Sequence, residues 1–256
     1  MKKLTLFFLV ILIFFGLAIA QDSLQWNKSN STHFIVYYKN APQDFIDKLI
    51  SKAEECYDKI ADDLGFRRFN FWLWDNRARV YVYDSAEDYQ KQTGQPAWSL
   101  GAALPRDKII RIYPEAKNFF DMILPHELAH IIFREFVGFY NDAVPLWLDE
   151  GVASYQGGVK GISLKETLKA AVEKGVFMDS EQLSNFDARK ARDNKQVSLF
   201  YLESVGIIDY LIREFGKDKF VLFCQNLRDK KDLNRAIASA YPFSNTKELV
   251  SNALQK

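Results

Sequence analysis

From about residue 116 onward the apolar residues of this chain keep a helical spacing, and that change limits the fold more than any other feature. Before it, strand-like and helix-like segments alternate. His33-Phe34-Ile35-Val36-Tyr37-Tyr38 is rich in β-branched and aromatic residues and reads as a strand. Residues 42–64 place Phe45, Leu49, Ala53, Cys56 and Ile60 at helical intervals of three and four. Residues 77–83 alternate as a strand, and 85–93 read as a short helix opened by Ser85 as N-cap. Two more strands are expected at 99–104 and 108–113, joined by Pro105-Arg106-Asp107. Beyond residue 116 the pattern is helical throughout, with segments at 166–174, 199–215, 220–228, 233–240 and 246–255. Strands first and helices after imply an α+β architecture. The natural division is the turn Gly157-Gly158-Val159-Lys160-Gly161, separating a mixed part (residues 21–157) from a helical C-terminal subdomain (158–256).

The amino terminus follows a different grammar. Met1-Lys2-Lys3 is cationic, residues 4–20 are almost wholly apolar, and the run closes on Ala18-Ile19-Ala20. Positive end, apolar middle and small residues at the cleavage position describe a secretory signal peptide over residues 1–20. The alternative is a retained membrane anchor, against which the length argues: seventeen residues rise about 25 Å as a helix, short of the ~30 Å hydrocarbon core. The expected location is therefore periplasmic or extracellular, with membrane attachment only through an uncleaved segment. Cleavage removes Lys2 and Lys3 and turns the formal charge from +1 to −1. Neither value gives a polycationic surface, which excludes bulk electrostatic binding of nucleic acid. Export permits a disulfide between the two cysteines, Cys56 and Cys224; two buried free thiols are the other outcome. Two cysteines cannot build a Cys-rich metal site, so metal chemistry falls to carboxylates and the three histidines.

Two of those histidines sit in Leu124-Pro125-His126-Glu127-Leu128-Ala129-His130. Residues four apart on a helix project from one face a turn apart, so both imidazoles reach a single Zn²⁺. Glu127 lies about 100° around the helix from His126, beside the metal, where a carboxylate can take a proton from a zinc-bound water. Catalytic zinc takes three protein ligands and leaves one position open. The third is expected from a second helix, Pro145 to Tyr155, returning along the first. On it Leu146, Glu150 and Ser154 share a face while Asp149 points elsewhere, and the flanking Trp147, Leu148, Val152 and Ala153 imply burial. A buried carboxylate needs a partner, and the helix face, together with the resemblance described next, favours Glu150 over Asp149 as the ligand.

His-Glu-Leu-Ala-His followed by Trp-Leu-Asp-Glu-Gly-Val-Ala-Ser-Tyr resembles the gluzincins, the zinc peptidases that include thermolysin and aminopeptidase N. The compact bacterial peptidase MA-like domains are the nearest likeness. The resemblance implies a zincin-like catalytic part with a small mixed or antiparallel sheet, one Zn²⁺ on His126, His130 and Glu150, and Glu127 as general base. It also implies an oxyanion donor from the downstream helices. No histidine follows His130, and Tyr201 resembles the tyrosine at that position in MA-like domains. Tyr201 equally belongs to an apolar stripe with Val205, Ile208, Ile212 and Phe215, a pattern that usually marks core.

The chain departs from the aminopeptidase pattern on the strand before the zinc helix. Those enzymes carry Gly-x-Met-Glu-Asn there, whose Glu holds a free amine; this chain has Gly101-Ala102-Ala103-Leu104-Pro105. Without that carboxylate, endopeptidase action is favoured, with a peptide or protein substrate pairing along the 99–104 edge strand. Two other readings keep the fold: an exported binding or assembly module without turnover, and hydrolysis of a non-peptide amide or ester. His33 is expected to be structural.

Overall fold

The computed structural model describes residues 26–66, 72–97, 99–114, 118–158, 162–187, 190–191 and 193–255. The expected signal segment (1–20) and part of the 157–161 turn lie outside them. Among the described residues, no helix is long and apolar enough to cross a membrane.

Five strands form one mixed sheet: β1 (Asn27–Asn30), β2 (Phe34–Tyr38), β3 (Ala78–Val82), β4 (Gly101–Leu104) and β5 (Ile109–Ile112), in spatial order β1-β2-β3-β5-β4. The central three are parallel, and the two edge strands run antiparallel to their neighbours. Strand alternation puts Phe34, Val36, Ala78, Val80, Val82, Ile110 and Ile112 on one fully buried face. Tyr37 and Tyr81 stack on the opposite face, with Trp26 edge-on to Tyr81. β1 had no apolar signal to announce it, because Asn-Lys-Ser-Asn is a polar edge strand, held by backbone pairing to β2 and by Asn27 Nδ2 donating to the Lys39 carbonyl at 2.9 Å.

The parallel strands require crossovers, which the helices supply. α1 (Gln43–Asp63) buries Ile46, Leu49, Ala53, Cys56, Tyr57 and Ile60 as a single stripe. α2 (Ala86–Thr93) starts where the Ser85 hydroxyl accepts the Asp88 N–H at 3.2 Å and ends on Gly94 at φ 69°. After β5 the chain is helical: α3 (Leu124–Val137), α4 (Leu146–Gln156), α5 (Ile162–Glu173), α6 (Ser180–Ser184), α7 (Asn194–Phe215), α8 (Lys217–Lys230), α9 (Leu233–Ala240) and α10 (Thr246–Gln255). Strands before helices, as the spacing predicts, make this an α+β fold with a small sheet and a helical C-terminal part. α7 begins five residues earlier than its apolar pattern, because the Asp193 side chain caps the polar first turn by accepting the Gln196 N–H.

One hydrophobic core runs from the sheet through α3 and α4 into α7, α8 and α10. The division expected after residue 157 falls at the end of α4, and α7 from beyond it packs along α4. Cys56 and Cys224 are both buried free thiols. Burial raises the Cys56 thiol to about 11 and Cys224 well above its usual range, so both pack as small hydrophobes. His33 receives no metal partners: its Nδ1 sits 2.5 Å from Glu54 and its ring stacks on Tyr57, a structural role.

Candidate metal centre

α3 is buried on almost every side. Leu128, Ala129, Ile131, Ile132, Phe133 and Phe136 lie in the core, and His126, Glu127 and His130 occupy the remaining stripe. Its end is fixed by Asn141, whose Nδ2 donates to the carbonyls of Val137 at the end of α3 and of Leu227 in α8. Near the same end, the Glu135 carboxylate pairs with Lys108 at 2.5 Å and accepts the Trp72 indole N–H. A rigid helix is what a metal site needs from its scaffold.

α4 runs back along α3, bringing Asp149 to His130 and leaving Gly157 against His126. Glu150 thereby faces both rings. Its Oε2 lies 3.5 Å from His126 Nε2 and 3.7 Å from His130 Nε2, and the two nitrogens are 3.2 Å apart. Ligand atoms bonded to zinc at about 2.0–2.1 Å and tetrahedral angles stand roughly 3.4 Å from one another. The three distances bracket that edge length. Glu150 Oε2 is also fully buried and has no hydrogen-bond partner among the described residues. An ionised oxygen in that position, left uncompensated, costs several kcal/mol, whereas a cation between the three atoms satisfies it. The residues present fit a zinc ion, and among the described residues they are the one cluster of its kind.

Asp149, set aside by helix-face reasoning, has a defined task. His130 Nδ1 donates to its Oδ1 at 3.0 Å, and Arg134 Nε donates to its Oδ2 at 2.7 Å. Because a carboxylate only accepts, the proton of His130 belongs on Nδ1 and the Nε2 lone pair faces Glu150 and His126. Burial pushes the Asp149 carboxyl up, but His130 and Arg134 outweigh it and hold it below the usual range. Burial also opposes charge on His130; Asp149, then Glu150 and Glu127, overcome it and raise the ring to about 9. Three carboxylates thus set a negative field around His130. The available signal for Asp149 was its position one residue before Glu150, about 100° around the helix, which lands it on the outer side of the same histidine.

Glu127 lines a cleft of about 320 Å³ beside His126, closed opposite by Leu100 and Gly101 at the start of β4 and by Met122 and Ile123 ahead of α3. β4 is the outer strand of the sheet, paired to β5 alone among the described strands. Tyr201, 36% exposed, stands apart from the buried Val205, Ile208 and Ile212 of its stripe. Burial raises its hydroxyl above the usual phenol range, and the Glu150 and Glu127 charges raise it further. The structure thus brings His126, Glu127, His130, Glu150 and Tyr201 together. Gly151 lets α7, which carries Tyr201, approach α4 closely: a Cβ at that position would meet the Ser204 carbonyl oxygen at 2.5 Å, beside Glu150.

The fold and this cluster define a metallopeptidase-like domain. Residues 59–251 match the model of the peptidase MA superfamily, and the chain belongs to that superfamily. No curated protein matches the chain.

Proposed function

We propose that the protein is an exported zinc metallopeptidase of the gluzincin type that cleaves internal peptide bonds. The observation that carries this reading is the buried, unpartnered Glu150 Oε2 facing two histidine nitrogens at 3.5 and 3.7 Å, next to the Glu127 cleft. Superfamily membership supports a peptidase, and the Met1–Ala20 pattern supports export.

His126, His130 and Glu150 would hold the ion. Zinc, when bound, supplies Lewis-acid polarisation of the substrate carbonyl and of the attacking water. Asp149 and Arg134 keep His130 in the tautomer that leaves Nε2 free. Glu127 accepts one proton from the water as its oxygen bonds to the carbonyl carbon. Glu127 then returns that proton to the amide nitrogen as the C–N bond breaks, leaving a carboxylic acid and an amine, and the acid's remaining proton passes to the amine to give a carboxylate and an ammonium group. The Tyr201 hydroxyl, kept protonated by its surroundings, donates to the oxyanion as it develops. An extended peptide lies against the β4 edge by backbone hydrogen bonds. Among the described residues that line the cleft, there is no lysine or arginine to hold a C-terminal carboxylate and no acid besides Glu127 to hold a free amine, which favours internal bonds.

The test is cleavage of a defined peptide mixture, read by mass spectrometry, with zinc-loaded wild type and Glu127→Gln. Wild type should cut within chains, and the variant should be slower by about 10²–10⁴-fold. Equal cleavage by both, or trimming only from chain ends, contradicts the reading. Intact zinc with no peptide cut points to a binding module or a non-peptide substrate.

A further inference from the structure

Strand alternation gives the sheet a second face, opposite the one that packs on the helices. On the inner face Phe34 meets Tyr57 of α1, and Gly101 lies against Ile123 just ahead of α3. The outward residues are exposed or half-buried. They form two rows across the strands: Lys28, Tyr37, Tyr81 and Arg111 are successive register partners, and so are Ile35, Arg79 and Ile109. Tyr37 and Tyr81 stack with centroids 4.9 Å apart, and Trp26 stands edge-on to Tyr81 at 5.3 Å, so the rings brace one another across β2 and β3.

Charge on this face is one-sided. Lys28, Arg79 and Arg111 point outward, and no outward strand residue is acidic, although the whole chain balances 34 basic against 33 acidic residues. Arg79 gives one N–H to the Asp107 carbonyl, and at the margin Asp88 is matched by Lys39 at 3.4 Å. A locally cationic face suits an anionic partner. Five strands about 4.8 Å apart make the face roughly 20 Å across, broad enough to lie on a plane. Tryptophan, tyrosine, lysine and arginine interleaved with isoleucine are the residues that settle at headgroup depth, cations on phosphate and amphipathic rings at the apolar boundary.

Position along the chain points to the same partner. Trp26 belongs to this face and follows Ala20, the end of the apolar run, by six residues. That length spans at most about 20 Å, so while the run is engaged with a bilayer this face is tethered close to it. We propose that the outer face of the sheet docks the protein on anionic phospholipid, with Lys28, Arg79 and Arg111 on headgroup phosphates and Trp26, Tyr37 and Tyr81 at the interface. The metal helix α3 packs on the other side of the sheet, so a docked molecule keeps the Glu127 cleft turned away from the bilayer.

Vesicle cosedimentation tests this with the chain from residue 21, which keeps every described residue and leaves out the apolar run. Each lysine or arginine at an anionic leaflet is worth about fivefold in affinity. Three should make vesicles containing phosphatidylglycerol bind roughly a hundredfold more tightly at low salt than phosphatidylcholine alone, and added salt should shrink that difference. Lys28→Glu and Arg111→Glu should each weaken the binding about tenfold or more, while Lys169→Glu, at an exposed position on α5, should leave it unchanged. Lys28 is exposed on an edge strand, so its reversal leaves the fold intact, which an unchanged urea midpoint verifies. Equal binding to the two kinds of vesicle overturns the proposal, as does a loss no larger for Lys28→Glu than for Lys169→Glu. Soluble polyglutamate that binds as tightly as the anionic vesicles also overturns it and assigns the face to an acidic protein.

Discussion

Asp149 and Glu150 are neighbours in sequence with different physical situations. Glu150 Oε2 is buried without a hydrogen bond and answers to a cation; both Asp149 oxygens are occupied, one by His130 and one by Arg134. Removing the first should remove the site, and removing the second should loosen it. Asp149→Ala is expected to weaken zinc affinity by about 10–100-fold, measured by competition with a chromophoric chelator, with Asp149→Asn intermediate because it keeps an acceptor. Unchanged affinity in both would show that His130 needs no orienting partner. Glu127→Gln should keep wild-type zinc affinity in the same assay, since Glu127 stands beside the metal and contributes no ligand. The clustering of His126, His130 and Glu150 was legible from helix spacing together with the family resemblance. Asp149 was not, because side-chain direction on one helix does not reveal what the partner helix places there.

At the scale of elements, the site depends on how closely α4 and α7 approach. Gly151→Ala must push a Cβ into the Ser204 carbonyl and Ile208, so a loss of about 1–3 kcal/mol in unfolding free energy is expected. Urea denaturation checks it, and a loss below a few tenths would mean the contact relaxes freely. α7 also carries Glu203, 1% exposed, whose Oε1 accepts the Met178 N–H at 2.9 Å while Oε2 has no partner. Burial raises this carboxyl from its ordinary 4.5 to about 7, against the Met178 hydrogen bond. The folded chain then holds a proton that the unfolded chain has released between those values. Its contribution to stability is full below about pH 4.5, falls as pH rises, and levels off above about 7. Glu203→Gln should flatten that part of the stability–pH curve relative to wild type; parallel curves would contradict it. Long amphipathic elements such as α1 and α7 were legible in the apolar spacing. The π-helical turn over Phe119–Ile123 and β1 were not, since one is defined by backbone winding and the other by backbone pairing to β2.

For the whole molecule, one continuous core ties the sheet, the metal helix and the C-terminal helices together, so the site's parts from residues 126 to 201 are fixed relative to one another. Fold class was readable because every described strand precedes residue 116 and the pattern beyond it is helical. The cleft was not, because its walls, Leu100 and Met122, come from elements that only the tertiary fold brings together. The central claim is that this fold holds one catalytic zinc. Metal content of the purified protein, by mass spectrometry after exhaustive dialysis against metal-free buffer, tests it most directly, with His126→Ala and Glu150→Ala prepared in parallel. The account predicts about one zinc per chain in the wild type, as a site with three protein ligands requires, and a near-complete loss in both variants. Less than about half an equivalent in the wild type, or zinc retained equally by both variants, would contradict it.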